Sequence, residues 1–141
     1  MSTHRETMTP RDRVLAALDH REPDRVPLDL GGNQTGIHKN AYEALVRHLD
    51  FDESIDIMDA VQQLARPSEA VLQRLRVDTR YIHAGAAEDF QGEIVHVERN
   101  GQSWHDLTDE FGVRWSMPDD APLYMDITLH PLANATIGQL A

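Results

Sequence analysis

The chain has 141 residues, 13 Lys and Arg against 24 Asp and Glu, hence a net charge of −11, and no cysteine. That charge argues against phosphate backbones and anionic membranes as partners, so neither nucleic acid nor membrane is expected. The missing thiol excludes disulfides, Cys-ligated zinc and thiol catalysis within these residues. No apolar run approaches the ~20 residues of a membrane helix, and the hydrophobic stretch of a secretory signal is absent, so a cytoplasmic location is expected.

Residues 1–8 are expected to be disordered. Thr9 is a good N-cap, Pro10 suits the first helical position and Asp12 stands where a capping-box acid would. Val14, Leu15 and Leu18 then share a helix face, and Pro23 stops the helix near His20. Val26, Leu28 and Leu30 alternate as in a strand, with Pro27 where its missing N–H is not needed. Gly31-Gly32-Asn33-Gln34-Thr35-Gly36 is a polar loop, and Tyr42, Leu45, Val46 and Leu49 mark an amphipathic helix. Residues 55–64 read as a short strand or a helix. Pro67-Ser68-Glu69 starts a helix with Val71, Leu72 and Leu75 inward, and Val77 to Ile82 reads as a second strand.

From Gly92 the period changes to two. Ile94–Glu98 and Gln102–Asp106 flank Asn100-Gly101, the strongest short hairpin signal, which sets Val97 opposite Trp104 and His96 opposite His105. Phe111, Val113 and Trp115 suit a third strand, Tyr124–Ile127 is a short extended piece, and Leu132–Ala141 approaches a helix with Thr136 as cap.

Thr9-Pro10-Arg11-x-Arg13-Val14-Leu15-x-Ala17-Leu18 followed by Glu22-Pro23-Asp24-Arg25-Val26-Pro27 resembles the start of the uroporphyrinogen decarboxylase superfamily, which also holds corrinoid-dependent methyltransferases. Leu75-x-Val77-Asp78-Thr79-Arg80, Phe111-Gly112-Val113-x-Trp115 and Pro131-Leu132-Ala133 are similar to later signposts of its divergent members. The resemblance implies an α/β fold, the N-terminal portion of a TIM (β/α)₈ barrel with an inserted hairpin and meander, over residues 9–141. Such barrels take ~250 residues, so an incomplete barrel is expected, a fragment or subunit that needs a complementing chain or further copies. Its catalytic activity alone is expected to be small. The arginine-rich block that grips carboxylates in the decarboxylases is replaced here by residues 31–37. The resemblance therefore implies methyl transfer on a corrinoid, with porphyrinogen decarboxylation as the alternative. It implies a tetrapyrrole or corrinoid substrate, and zinc and corrinoid for the complete enzyme; no cofactor and no metal is assigned to this chain.

Barrel active sites lie at the C-terminal ends of strands. That rule selects Asp29, Gly31, Gly32 and Asn33 after the first strand and Asp78, Arg80 and His83 along the second. Asp29, Gly31, Gly32, Asn33 and Arg80 are the candidate substrate-binding residues, Asp78 and His83 the candidate catalytic ones. Asp29 orients a ligand or acts as an acid, or is a helix-capping or salt-bridging carboxylate, and the glycines admit a ligand close to the backbone or simply make a turn. Asp78 and Arg80 face one side as a carboxylate-binding pair or a structural one. His83 carries protons or is structural. His96 and His105 can chelate a metal across the hairpin, with Glu98 and Asp106 close but no obvious third ligand; an exposed polar face is the plainer reading. The acidic run from Asp50 to Asp59 reads as a solvated edge, because its spacing does not match a calcium loop.

Overall fold

The computed structural model describes residues 6–83, 85, 87, 90 and 92–139. The first five residues of the segment expected to be disordered lie outside these, as do Ala84 beside the expected second strand and the last two positions of the expected C-terminal helix. The chain forms two compact units, Met1–Met58 with Leu64–His83, and Asp59–Gln63 with Ala84–Ala141. Among the described residues, no helix is long and apolar enough to cross a membrane.

The first unit carries helices α1 (Pro10–Leu18), α2 (Lys39–His48) and α3 (Glu69–Arg74). Thr9 caps α1 by accepting the Asp12 N–H at 3.2 Å and donating its hydroxyl to the Asp12 carboxylate at 2.6 Å. Ser68 caps α3 by accepting the Val71 N–H. These three helices end alike: His20, Asp50 and Arg76 take left-handed φ angles of 56°, 56° and 57°. The next N–H then reaches back to close the last turn (Arg21 to Ala16, Phe51 to Val46, Val77 to Leu72). This is the Schellman ending, reached without glycine. The α2 stripe behaves as its spacing says: Tyr42 and Val46 are buried with Ala65 and Val71, and Leu45 and Leu49 pack against them. Helix α1 does not. Its buried residues are Arg13 and Ala16, whereas Leu18 is 69% exposed. The face is turned because Arg13 is drawn inward, its Nε to Asp24 at 2.6 Å and its Nη1 to Asp78 at 2.5 Å. Residues 6–8 also run against this cluster, the Thr7 and Met8 N–H groups donating to Asp24.

Strands β1 (Ile37–His38), β2 (Ile57–Asp59) and β3 (Leu64–Ala65) form a short sheet in the order β1-β3-β2, with Ile37 opposite Ala65 in antiparallel register. The segment 55–64, open between strand and helix in the sequence, is thus two strands around a turn. The second unit is an antiparallel meander of β4 (Val95–Arg99), β5 (Gln102–Thr108), β6 (Arg114–Pro118) and β7 (Asp126–Leu129). Asn100 and Gly101, at φ 52° and 77°, make the tight turn, and the register sets Val97 opposite Trp104 and His96 opposite His105, as the Asn-Gly pair requires. Phe111, expected in a strand, stands in the β5–β6 turn and is 75% exposed. There Asp109 takes over the turn, accepting the N–H groups of Phe111 and Val113 and the Trp115 indole. The expected C-terminal helix is a single 3₁₀ turn, Ile137–Gln139, with Thr136 bonded to Gln139.

The partial TIM barrel is not found. Among the described residues, three helices and two antiparallel sheets replace the alternating parallel β/α units; of the expected barrel architecture, the inserted hairpin and meander stand as read. Neither 26–30 nor 77–82 is a strand. They run side by side through one backbone bond, Asp78 N–H to the Leu28 carbonyl at 2.8 Å, while the Leu28 N–H is taken at 2.8 Å by the Asp78 carboxylate. A side chain thus occupies the donor that a ladder would use, and Pro27 offers none.

Candidate functional site

The glycine loop closes on itself: the Gly31 N–H donates to the Thr35 carbonyl at 3.1 Å and the Gly32 N–H to the Thr35 hydroxyl at 3.3 Å. Thr35 in turn donates to Asp29 at 2.9 Å, and the Thr79 hydroxyl donates to the other Asp29 oxygen. Asp29 therefore clips the loop to the 77–83 segment. Gly31 sits at φ 106°, and a Cβ there would press on Pro67 at 3.3 Å. At Gly32 a Cβ would fall 2.1 Å from the Tyr81 ring, so the ring lies directly on this backbone. The positive φ calls for glycine at Gly31, and the missing Cβ at Gly32 lets the Tyr81 ring rest on the backbone.

These two segments bound a cleft of about 200 Å³ in the first unit, walled by Gly31, Arg66, Glu69, Arg80, Tyr81 and His83. Arg80 donates Nε and Nη2 to the two Glu69 oxygens at 2.7 and 2.9 Å, and Nη1 to the carbonyls of Val77 and Thr79. The Arg80 bond, with help from Gln73, draws the Glu69 carboxyl down to about 2. Arg66 is paired with Asp56 at 2.8 Å. The Tyr81 and His83 rings lie 5.3 Å apart at 34°. The guanidiniums of this cleft are therefore already matched by carboxylates, and the rest of its lining is the Gly31 backbone, the Tyr81 phenol, the His83 imidazole and the apolar side chains of Leu30, Pro67 and Leu72.

Of the residues selected from sequence, Gly31, Arg80 and His83 come together here, Gly32 lies beneath Tyr81, and Asp29 braces the loop from outside the cleft wall. Asn33 is exposed on the loop. Asp78 goes elsewhere. It makes no hydrogen bond to Arg80; its carboxylate is fully buried, accepting from Arg13 Nη1, from Arg25 Nη1 and Nη2 at 2.6 and 3.0 Å, and from the Leu28 N–H. Burial pushes its carboxyl up, but the Leu28 N–H, Arg25 and Arg13 outweigh that and hold it below the ordinary value. An ionised carboxylate with four donors is a structural anchor in this geometry. Tyr81, Arg66 and Glu69 were not singled out from sequence. Tyr81 and Glu69 sit within two residues or one helical turn of motifs that were, but their convergence depends on how the loop folds back.

Comparison with family models, with curated proteins and with solved structures finds no match to this chain.

Proposed function

We propose that the chain supplies a corrinoid-facing surface of a methyl-transfer enzyme related to the uroporphyrinogen decarboxylase superfamily, with the Gly31–His83 cleft taking one amide-bearing arm of the corrin periphery. The sequence resemblance of residues 9–27 motivates the family. The observation that carries the choice of ligand is the internal pairing of Arg80 with Glu69 and of Arg66 with Asp56. A carboxylated porphyrinogen needs unclaimed bidentate donors, whereas a neutral amide can donate to Glu69 and rest on Tyr81. At about 200 Å³ the cleft lies below the ~300 Å³ usual for a whole small-molecule site. It therefore suits one arm and leaves the macrocycle outside.

Titration of the purified chain with hydroxocobalamin, and separately with tetracarboxylated coproporphyrin, tests this. Saturable cobalamin binding is expected, weakened roughly fivefold in Tyr81→Ala if the lost ring contact is worth about 1 kcal/mol. Tighter porphyrin binding would favour decarboxylation, and cobalamin binding indifferent to Tyr81→Ala would remove the cleft from the reading. A second reading, a chain that works against a partner polypeptide or another copy, is favoured by the unladdered segments 26–30 and 77–82. Val26 there is 77% and Ile82 94% exposed. Sedimentation showing a monomer at every concentration, with no partner recovered, would count against it.

A further inference from the structure

We infer that the meander of the second unit carries a divalent transition-metal site built from His96, His105 and Asp119. The site belongs wholly to that unit and owes nothing to the cleft reading. The Asn100-Gly101 turn locks β4 against β5, so His96 and His105 are directly opposed and project from one face of the sheet. Their rings stand edge to face with centroids 4.2 Å apart. Strand β6 brings the third donor. Met117 pairs with His105, and two residues on, on the same face, Asp119 keeps the strand pairing alive by donating its N–H to the Ser103 carbonyl at 3.0 Å. The Asp119 carboxylate lies 2.6 Å from His105 Nε2, and one ligand atom from each of the three side chains falls within 4.8 Å of the others.

Metal bonds of 2.0–2.1 Å in a tetrahedron set ligand atoms roughly 3.3 Å apart. The pair His105–Asp119 need only open by less than an ångström, and His96 swing inward, to meet that. Both outer ligands are exposed and free to make the adjustment, while His105 is half-buried over the buried Met117. Two imidazoles and one carboxylate without a thiolate suit zinc, cobalt, nickel or copper better than calcium or magnesium. Three protein ligands at an open surface leave a fourth position for water or a further ligand. The surroundings are acidic: Glu98 lies on the same face, holding the Ser103 hydroxyl, and Asp120 follows Asp119. Such a field favours a cation. Asp106, close in sequence, is not part of the site. It opposes Val95 and Ser116 and bonds Arg99 on the other face.

Calorimetric titration of the untagged full-length chain with zinc chloride, and absorption spectra with cobalt chloride, test the assignment. One equivalent per chain is expected, with a cobalt spectrum of a four-coordinate nitrogen and oxygen site. His96→Ala and Asp119→Asn are each expected to weaken binding by more than the roughly 10- to 100-fold that loss of an outer-shell partner costs. Both positions are exposed, and thermal melts followed by Trp104 and Trp115 fluorescence, both in this unit, confirm that the meander persists in the variants. No saturable equivalent, or zinc binding by His96→Ala and Asp119→Asn equal to that of the unaltered chain, would overturn the site.

Discussion

Replacing Asp78 by Asn keeps the shape of the side chain and removes its charge from the centre of the first unit. The carboxylate is fully buried and takes four hydrogen bonds, three from guanidiniums and one from the Leu28 N–H. Asparagine offers one acceptor and turns an NH₂ toward Arg13 or Arg25. Breaking a buried ion pair from one side costs about 3–5 kcal/mol. The lower end applies here, because Arg13 retains Asp24 and Arg25 retains Glu6. A loss of about 3 kcal/mol is a large share of the 5–15 kcal/mol that holds a typical domain, and lowers Tm by roughly 10 °C or more in a unit of this size. The assay is urea or thermal unfolding followed by the far-UV helical signal, since α1, α2 and α3 all lie in the first unit and both tryptophans lie in the second. The sign with pH is definite. Asp78 titrates below its ordinary value in the folded chain, so its contribution is present above the unfolded pKa of about 4 and fades as pH falls through the folded one. The gap between the unaltered chain and Asp78→Asn must therefore narrow in acid. An unchanged midpoint at neutral pH, or a gap constant down to strongly acid pH, would refute the reasoning.

Tyr42→Phe removes a buried hydroxyl that donates to Glu53 and accepts the Ser68 N–H at 2.8 Å. Leaving that N–H unpaired at the cap of α3 is expected to cost about 1–3 kcal/mol, read as a lowered urea midpoint in the helical signal; equal stability would show that the hydroxyl is dispensable. The Glu69 carboxyl, held at about 2 chiefly by Arg80, contributes stability above its unfolded pKa of about 4.3 and loses it as pH falls toward the folded value. In Arg80→Ala its titration, followed by the NMR shift of the side-chain carboxyl carbon, is expected to move most of the way back to the ordinary value. Gln73, which also donates to Glu69 at 2.8 Å, keeps part of the depression. An unmoved midpoint would remove Arg80 as the cause.

What the sequence alone determines is local. Thr9 and Ser68 as caps, Pro10 at a helix start, the α2 stripe and the Asn100-Gly101 turn with its full register each rest on interactions within a few residues, where residue type and spacing set the geometry. Within the candidate cleft, the glycine loop and the 78–83 segment were legible as places, but their wall was not. Tyr81 lying on Gly32 depends on how two segments some fifty residues apart meet, and Arg80 turning to Glu69 on how the chain folds back 11 residues after the start of α3.

The errors have the same origin. Alternating Val26, Leu28 and Leu30 satisfy a strand pattern, yet a strand exists only when a neighbour supplies donors and acceptors in register, and here the Asp78 carboxylate takes the Leu28 N–H first. Val14, Leu15 and Leu18 satisfy a helix stripe, yet Asp24 and Asp78 draw the charged Arg13 inward and turn the helix. Nothing near Arg13 in the chain announces a carboxylate 65 residues away. Asp119 joins His96 and His105 only through the β5–β6 register, which no turn signature specified. Caps, turns and short periodicities are properties of neighbouring residues and belong to the sequence; pairing between distant segments is a competition among all available partners, and only the folded chain decides who wins it.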